Sequence, residues 1–134
     1  MGEGPKVRVL LVEDDADNRE LMAEVLETAG IEVSPAASGA AALELLRGRP
    51  VDVVLTDVGM PGMGGLELAR AAKGIAPSVP VVVVTGWAER EDISQALGHE
   101  VDLVLVKPIH PDGLLGAVRD ALAIAGGQGA PRSP

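Results

Sequence analysis

Four apolar runs rich in β-branched residues, each stopping at a polar side chain, constrain this chain more than any other feature. The central one is Val51-Asp52-Val53-Val54-Leu55-Thr56-Asp57, which ends at a carboxylate and meets the turn-forming Val58-Gly59-Met60-Pro61-Gly62 at once. The others are Val7 to Val12, ending in Glu13-Asp14-Asp15; Val79 to Val84, ending in Thr85; and Val101 to Val106, ending in Lys107-Pro108. Each reads as a buried strand. If the strands run parallel, their polar ends meet at the carboxyl edge of one sheet, where open α/β folds place their chemistry. Three acids, a hydroxyl and a lysine then share one crevice.

Between the runs the apolar residues recur at helical spacing. Leu21, Met22, Val25, Leu26 and Ala29 predict a first helix, capped by Asp15 or Asp17 and closed by Gly30. Ile31 to Pro35 is a short second strand whose proline places it at a sheet edge. Ser38 caps a second helix with Ala42, Leu45 and Leu46 inward, closed by Gly48 and Pro50. Gly64-Gly65 opens a third, through Leu68, Ala69, Ala72 and Ile75. A fourth, Ala88 to Leu97, has a thin apolar face of Ile93, Ala96 and Leu97 and is the helix expected to move. Pro111 suits the first position of the fifth, with Leu114, Leu115, Val118, Leu122 and Ala125 inward. Strands alternating with helices through short loops predict an α/β fold: a doubly wound, five-stranded parallel sheet of flavodoxin-like order 2-1-3-4-5, with five helices. Strand three then lies between strands one and four, so Asp57 is flanked by the acids and by Thr85.

Length and composition fit one domain over residues 6–125, with a loose tail at 1–5 and a Gly/Pro/Ser tail or linker at 126–134. The core must be aliphatic, because Trp87 is the single aromatic among Phe, Trp and Tyr. With no cysteine there is no thiolate zinc site and no cysteine nucleophile. The formal charge of −9 disfavours nucleic acid as a partner, and no apolar run is long enough to span a membrane. A cytoplasmic protein is expected.

Singly, each polar end has a bland reading: Asp57 as a turn residue, Glu13-Asp14-Asp15 as a solvated helix start, Thr85 as a strand former and Lys107 as a surface charge. Their common position at strand C-termini is what the bland reading leaves without a reason. Gathering Glu13, Asp14 and Asp57 is costly, since two like charges about 4 Å apart repel by about 4 kcal/mol at an effective dielectric near 20. A divalent cation relieves that, and an all-oxygen donor set favours Mg²⁺. His99 and His110 are read as surface or capping residues away from the cluster. A carboxylate beside Mg²⁺, a hydroxyl and an ammonium form a phosphoryl-transfer site in which Asp57 attacks in line, giving an aspartyl phosphate.

Together, Leu11-Val12-Glu13-Asp14-Asp15, Asp57-x-x-Met60-Pro61-x-x-x-Gly65-Leu66, Val84-Thr85-Gly86 and Lys107-Pro108 form an ordered set. In it the chain resembles a response-regulator receiver domain of two-component signalling, similar in plan to the single-domain chemotaxis regulator. The resemblance implies that Asp57 is the phosphoacceptor, that Asp14 and Asp57 bind Mg²⁺ directly and Glu13 through water, and that the Gly59 backbone carbonyl is a third protein ligand. It implies that Thr85 hydrogen-bonds the phosphoryl group, that Lys107 pairs with it, and that the Lys107-Pro108 peptide is cis. The donor would be a histidine kinase or histidine phosphotransfer protein. A downstream protein would read the face made by the fourth helix, fifth strand and fifth helix. No enzymatic activity is expected beyond the domain's own aspartyl phosphorylation and dephosphorylation.

Two departures from the family pattern stand out. Val104 occupies the place of the usual aromatic switch residue, and Ile109 follows Lys-Pro where an aromatic is common. Gly59 and Trp87 hold the positions that control water access to the phosphoryl group, and Trp87 is expected to slow hydrolysis. Three other readings compete: a receiver cut from a hybrid kinase, a receiver-like module that works unphosphorylated, and an aspartyl-phosphate phosphatase. The last needs a second acid two residues after the nucleophile, where this chain has Gly59.

Overall fold

The computed structural model describes residues 6–60, 62–86 and 98–129. Its strands are β1 (Arg8–Val12), β2 (Glu32–Ala36), β3 (Val53–Asp57), β4 (Val81–Thr85) and β5 (Leu103–Val106). All pair in parallel, in the order β2-β1-β3-β4-β5, as expected from the alternation of runs. The helices are α1 (Ala16–Thr28), α2 (Gly39–Gly48), α3 (Gly65–Ile75) and α4 (Pro111–Gly129). The helix predicted over 88–97, and Trp87 before it, lie outside the described residues, so α4 is the last helix.

The strand sequences explain why helices must cover both faces. Side chains alternate across a strand, and here both sets are aliphatic. Leu10, Val12, Val54, Val81 and Val83 point to one side, where they meet Ala42, Leu43 and Leu46 of α2 and Leu68, Ala69 and Ala72 of α3. Val9, Leu11, Val53, Leu55, Val82 and Val84 point to the other, against Leu26 of α1 and Leu114, Ala117, Val118 and Ala121 of α4. Such two-sided burial is the mark of a parallel sheet. Leu43 is a core residue that the helical spacing read at 42, 45 and 46 left out, while Leu45 is only partly buried.

Local chemistry sets the helix ends. Asp15, not Asp17, caps α1 by accepting the Asn18 N–H at 2.9 Å. Gly30 follows with φ +87°, the left-handed conformation that glycine adopts without strain. Ser38 accepts the Ala41 N–H at 3.1 Å and starts α2. At its other end α4 runs on to Gly129, past Ala125 where the tail was expected to begin. Gly126 and Gly127 weaken a helix but do not stop one, and the first proline beyond them is Pro131. Pro35 lies in the edge strand, where its missing N–H is tolerated. Among the described residues no helix is long and apolar enough to cross a membrane.

Candidate phosphoryl-transfer site

β1 and β3 are neighbours, so the residues just past their last pair, Val12 with Thr56, emerge side by side. This puts Glu13 and Asp14 beside Asp57. One carboxylate oxygen from each of the three lies within 4.8 Å of the others. Glu13 and Asp57 are buried and Asp14 is exposed, so the cluster opens to solvent on the Asp14 side.

Asp57 is held from two directions. Its Oδ1 accepts the Gly59 N–H at 3.1 Å, and its Oδ2 accepts from Lys107 Nζ at 3.1 Å. The lysine reaches it from the end of β5, and the Lys107-Pro108 peptide is cis, as the resemblance implied. The Lys107 N–H donates to the Thr85 carbonyl at 2.9 Å, fixing the start of that connection against β4. Thr85 is fully buried, one residue past the β4 partner of Asp57, and its hydroxyl donates to the Gly86 carbonyl at 3.1 Å.

Glu13 carries the electrostatic strain of the cluster. Burial, reinforced by the charge of Asp57 and a hydrogen bond shared with it, pushes its carboxyl up to about 7. The Asp15 N–H, 3.1 Å from Oε2, and the Lys107 ammonium pull the other way without cancelling the rise. Three converging carboxylates with one ammonium beside them leave an excess of negative charge, and every donor atom is an oxygen. The donor set therefore suits a hard divalent ion.

Two contributions were missed in the sequence. Arg19, on α1, donates from Nη1 to the Glu13 backbone carbonyl at 2.8 Å. The available signal was a cation near the N-terminus of a helix, against the helix dipole. Gly65 passes so close to β3 that a Cβ there would lie 2.6 Å from Val58 Cα and 2.7 Å from the Asp57 carbonyl oxygen. His110 is exposed and its carbonyl accepts the Leu114 N–H at 2.9 Å at the start of α4, as its reading as a surface or capping residue expected, and it also lines a cavity of about 250 Å³ with Glu13, Lys107, Asn18, Leu21 and Met22. His99 stays apart, in the turn at 98–100.

With four polar strand ends gathered at one edge, the comparison with known proteins is decisive: residues 9–119 match the family model of the response regulator receiver domain. The chain belongs to that family. The receiver domain is 38% identical over 123 residues to the response regulator receiver protein CpdR of Brucella abortus, covering 88% of this chain and 98% of that one. It is also 36% identical over 106 residues to the sensor histidine kinase RcsC of Salmonella typhi, of which it spans only 11%. Among solved structures, a CheY-like receiver domain protein from Methanospirillum hungatei superposes with a TM-score of 0.86 at 28% identity, covering 92% of this chain and 99% of that one. The doubly wound fold expected from the strand pattern is that of a receiver domain of two-component systems.

Proposed function

We propose that this receiver domain is a phosphorylation switch in which Asp57 takes a phosphoryl group from a histidine kinase or histidine phosphotransfer protein in the cytoplasm. The observation that carries the reading is the convergence of Glu13, Asp14 and Asp57 within 4.8 Å, with Lys107 Nζ 3.1 Å from Asp57. Mg²⁺ would be held by Asp14 and Asp57, by Glu13 through water and by the Gly59 carbonyl, and when bound it neutralises charge on the phosphoryl oxygens.

The chain's own groups do the rest. An Asp57 carboxylate oxygen attacks phosphorus in line; the new O–P bond forms as the bond to the donor's imidazole nitrogen breaks, and its electron pair leaves with that nitrogen. Lys107 shifts its hydrogen bond from Asp57 Oδ2 to a phosphoryl oxygen. Thr85 gives up the Gly86 carbonyl and donates to another, drawing the end of β4 toward the phosphate.

Output then passes to a protein partner over a face that includes β5 and α4. Val104, partly buried against the core, stands where the family uses an aromatic, so the signal travels through displacement of Thr85 rather than through rotation of a ring.

Intact-mass measurement after incubation with acetyl phosphate tests the reading. The expected result is a gain of one phosphoryl group that requires Mg²⁺ and is absent in Asp57→Asn. Equal labelling in that variant would overturn it.

A further inference from the structure

The β1–α1 turn presents two of the three clustered acids, and the Glu13 side chain holds only the Asp15 end of it, where Oε2 accepts the Asp15 N–H at 3.1 Å. Glu13 lies just past the last β1–β3 pair, Val12 with Thr56. Its N–H still donates to the Ala36 carbonyl of β2 at 3.0 Å, which holds one side of the residue to the sheet. Its carbonyl belongs to the peptide joining Glu13 to Asp14, and it accepts from Arg19 Nη1 at 2.8 Å. Arg19 is itself set by its place in α1, where its N–H donates to the Asp15 carbonyl at 2.9 Å. One side chain thus closes a ring through the turn: from α1, across to the peptide ahead of Asp14, and back through the Asp15 cap.

The guanidinium bonds a backbone carbonyl and not a carboxylate. It leaves the acid oxygens open to a cation while setting the plane of the peptide from which Asp14 projects. We propose that Arg19 is a positioning residue for the cation site: its hydrogen bond to the Glu13 carbonyl orients the Glu13-Asp14 peptide so that both side chains converge on Asp57. The inference rests on the reading of Glu13, Asp14 and Asp57 as a Mg²⁺ site, and gives Arg19 a role in that site that its side chain performs without touching the ion.

The test is calorimetric titration of Mg²⁺ into the metal-free protein, without any phosphodonor. Partners that orient metal ligands are worth about 10–100-fold in affinity. Arg19→Met, which keeps the aliphatic stem but removes the donor, is expected to weaken Mg²⁺ binding by about 10-fold. Arg19→Lys, whose ammonium can donate to the same carbonyl, should recover most of that loss. The Met deficit should persist in about 0.5 M salt, where long-range charge effects are screened. If Arg19→Met does not fold, Arg19→Leu replaces it, with the same expected loss. Wild-type affinity in the Met or Leu variant, alongside weakened binding in Asp14→Asn, would overturn the role of Arg19 and leave the cation site standing. Loss that vanishes at high salt would also overturn it, since charge and not orientation would then be responsible. Absence of Mg²⁺ binding by the wild-type protein would remove the underlying site reading instead.

Discussion

The ammonium of Lys107 lies 3.1 Å from Asp57 Oδ2, although their strands, β5 and β3, are separated in the sheet by β4. The lysine therefore crosses over the end of β4, where Thr85 sits. This one contact ties together the carboxyl ends of three strands. It also makes Lys107 a counter-charge to a buried acid before any phosphoryl group arrives.

Removing that ammonium should separate binding from chemistry. In Lys107→Met, Mg²⁺ affinity should hold or rise, because a positive neighbour of the ion is gone. Labelling by acetyl phosphate should slow by about 100-fold, the scale on which loss of one preorganised charge-stabilising donor is felt. Stopped labelling series on the variant and wild type would measure both effects, and wild-type rates would count against the role of Lys107.

Gly65 should tolerate no side chain. A Cβ there would meet backbone atoms at 2.6 and 2.7 Å, and backbone cannot swing aside as a flexible side chain can. Gly65→Ala is expected to cost about 1–3 kcal/mol, the usual penalty of overpacking. Since the atoms displaced belong to Asp57 and Val58, phosphorylation should slow as well. Denaturant unfolding and labelling rates measure the two consequences independently.

The metal-free protein should become less stable as pH rises. Glu13 has its carboxyl pushed from 4.5 to about 7 on folding, so the folded state binds the proton more tightly than the unfolded chain. That contribution is fully present below about 4.5 and is lost as pH climbs through about 7. Thermal unfolding in chelator should show a fall in midpoint over this window, and Glu13→Gln should flatten it. Added Mg²⁺ should stabilise more at the alkaline end, where the carboxylate is free to bind.

At the opposite end of β4 lies a polar cluster with no part in this chemistry. Asp102 Oδ2 accepts from Lys73 Nζ at 2.7 Å and from the Val81 N–H at 2.8 Å, and Lys73 also reaches the Val79 carbonyl at 3.0 Å. Asp102→Ala leaves a mostly buried ammonium and a strand N–H without that acceptor, and is expected to cost about 2–4 kcal/mol. Phosphorylation measured well below the unfolding temperature should be unchanged. A slowed rate would mean that the two ends of β4 are coupled.

How much of this was legible in the sequence follows from the range of each interaction. Strand order and the gathering of Glu13, Asp14, Asp57 and Lys107 were readable because two-sided aliphatic runs permit few topologies, and every run ended in a chemically distinctive residue. The caps at Asp15 and Ser38 were readable because they are local. The reach of Arg19 to a backbone carbonyl and the near-contact of Gly65 with β3 were not. Each depends on how the backbone bends after a strand ends, which neither period nor composition encodes. Leu43 was missed because the buried stripe of α2, Gly39, Ala42, Leu43 and Leu46, is wider than one row of the helix.

The central claim is that Asp57 becomes an acyl phosphate. Borohydride reduction of protein treated with acetyl phosphate and Mg²⁺, followed by peptide sequencing, reads the position directly, because an aspartyl phosphate is converted to homoserine. Homoserine at residue 57, and its loss when Mg²⁺ is chelated, is the predicted result. Homoserine at Asp14 or elsewhere, or none under conditions where a known receiver domain is labelled, would contradict it.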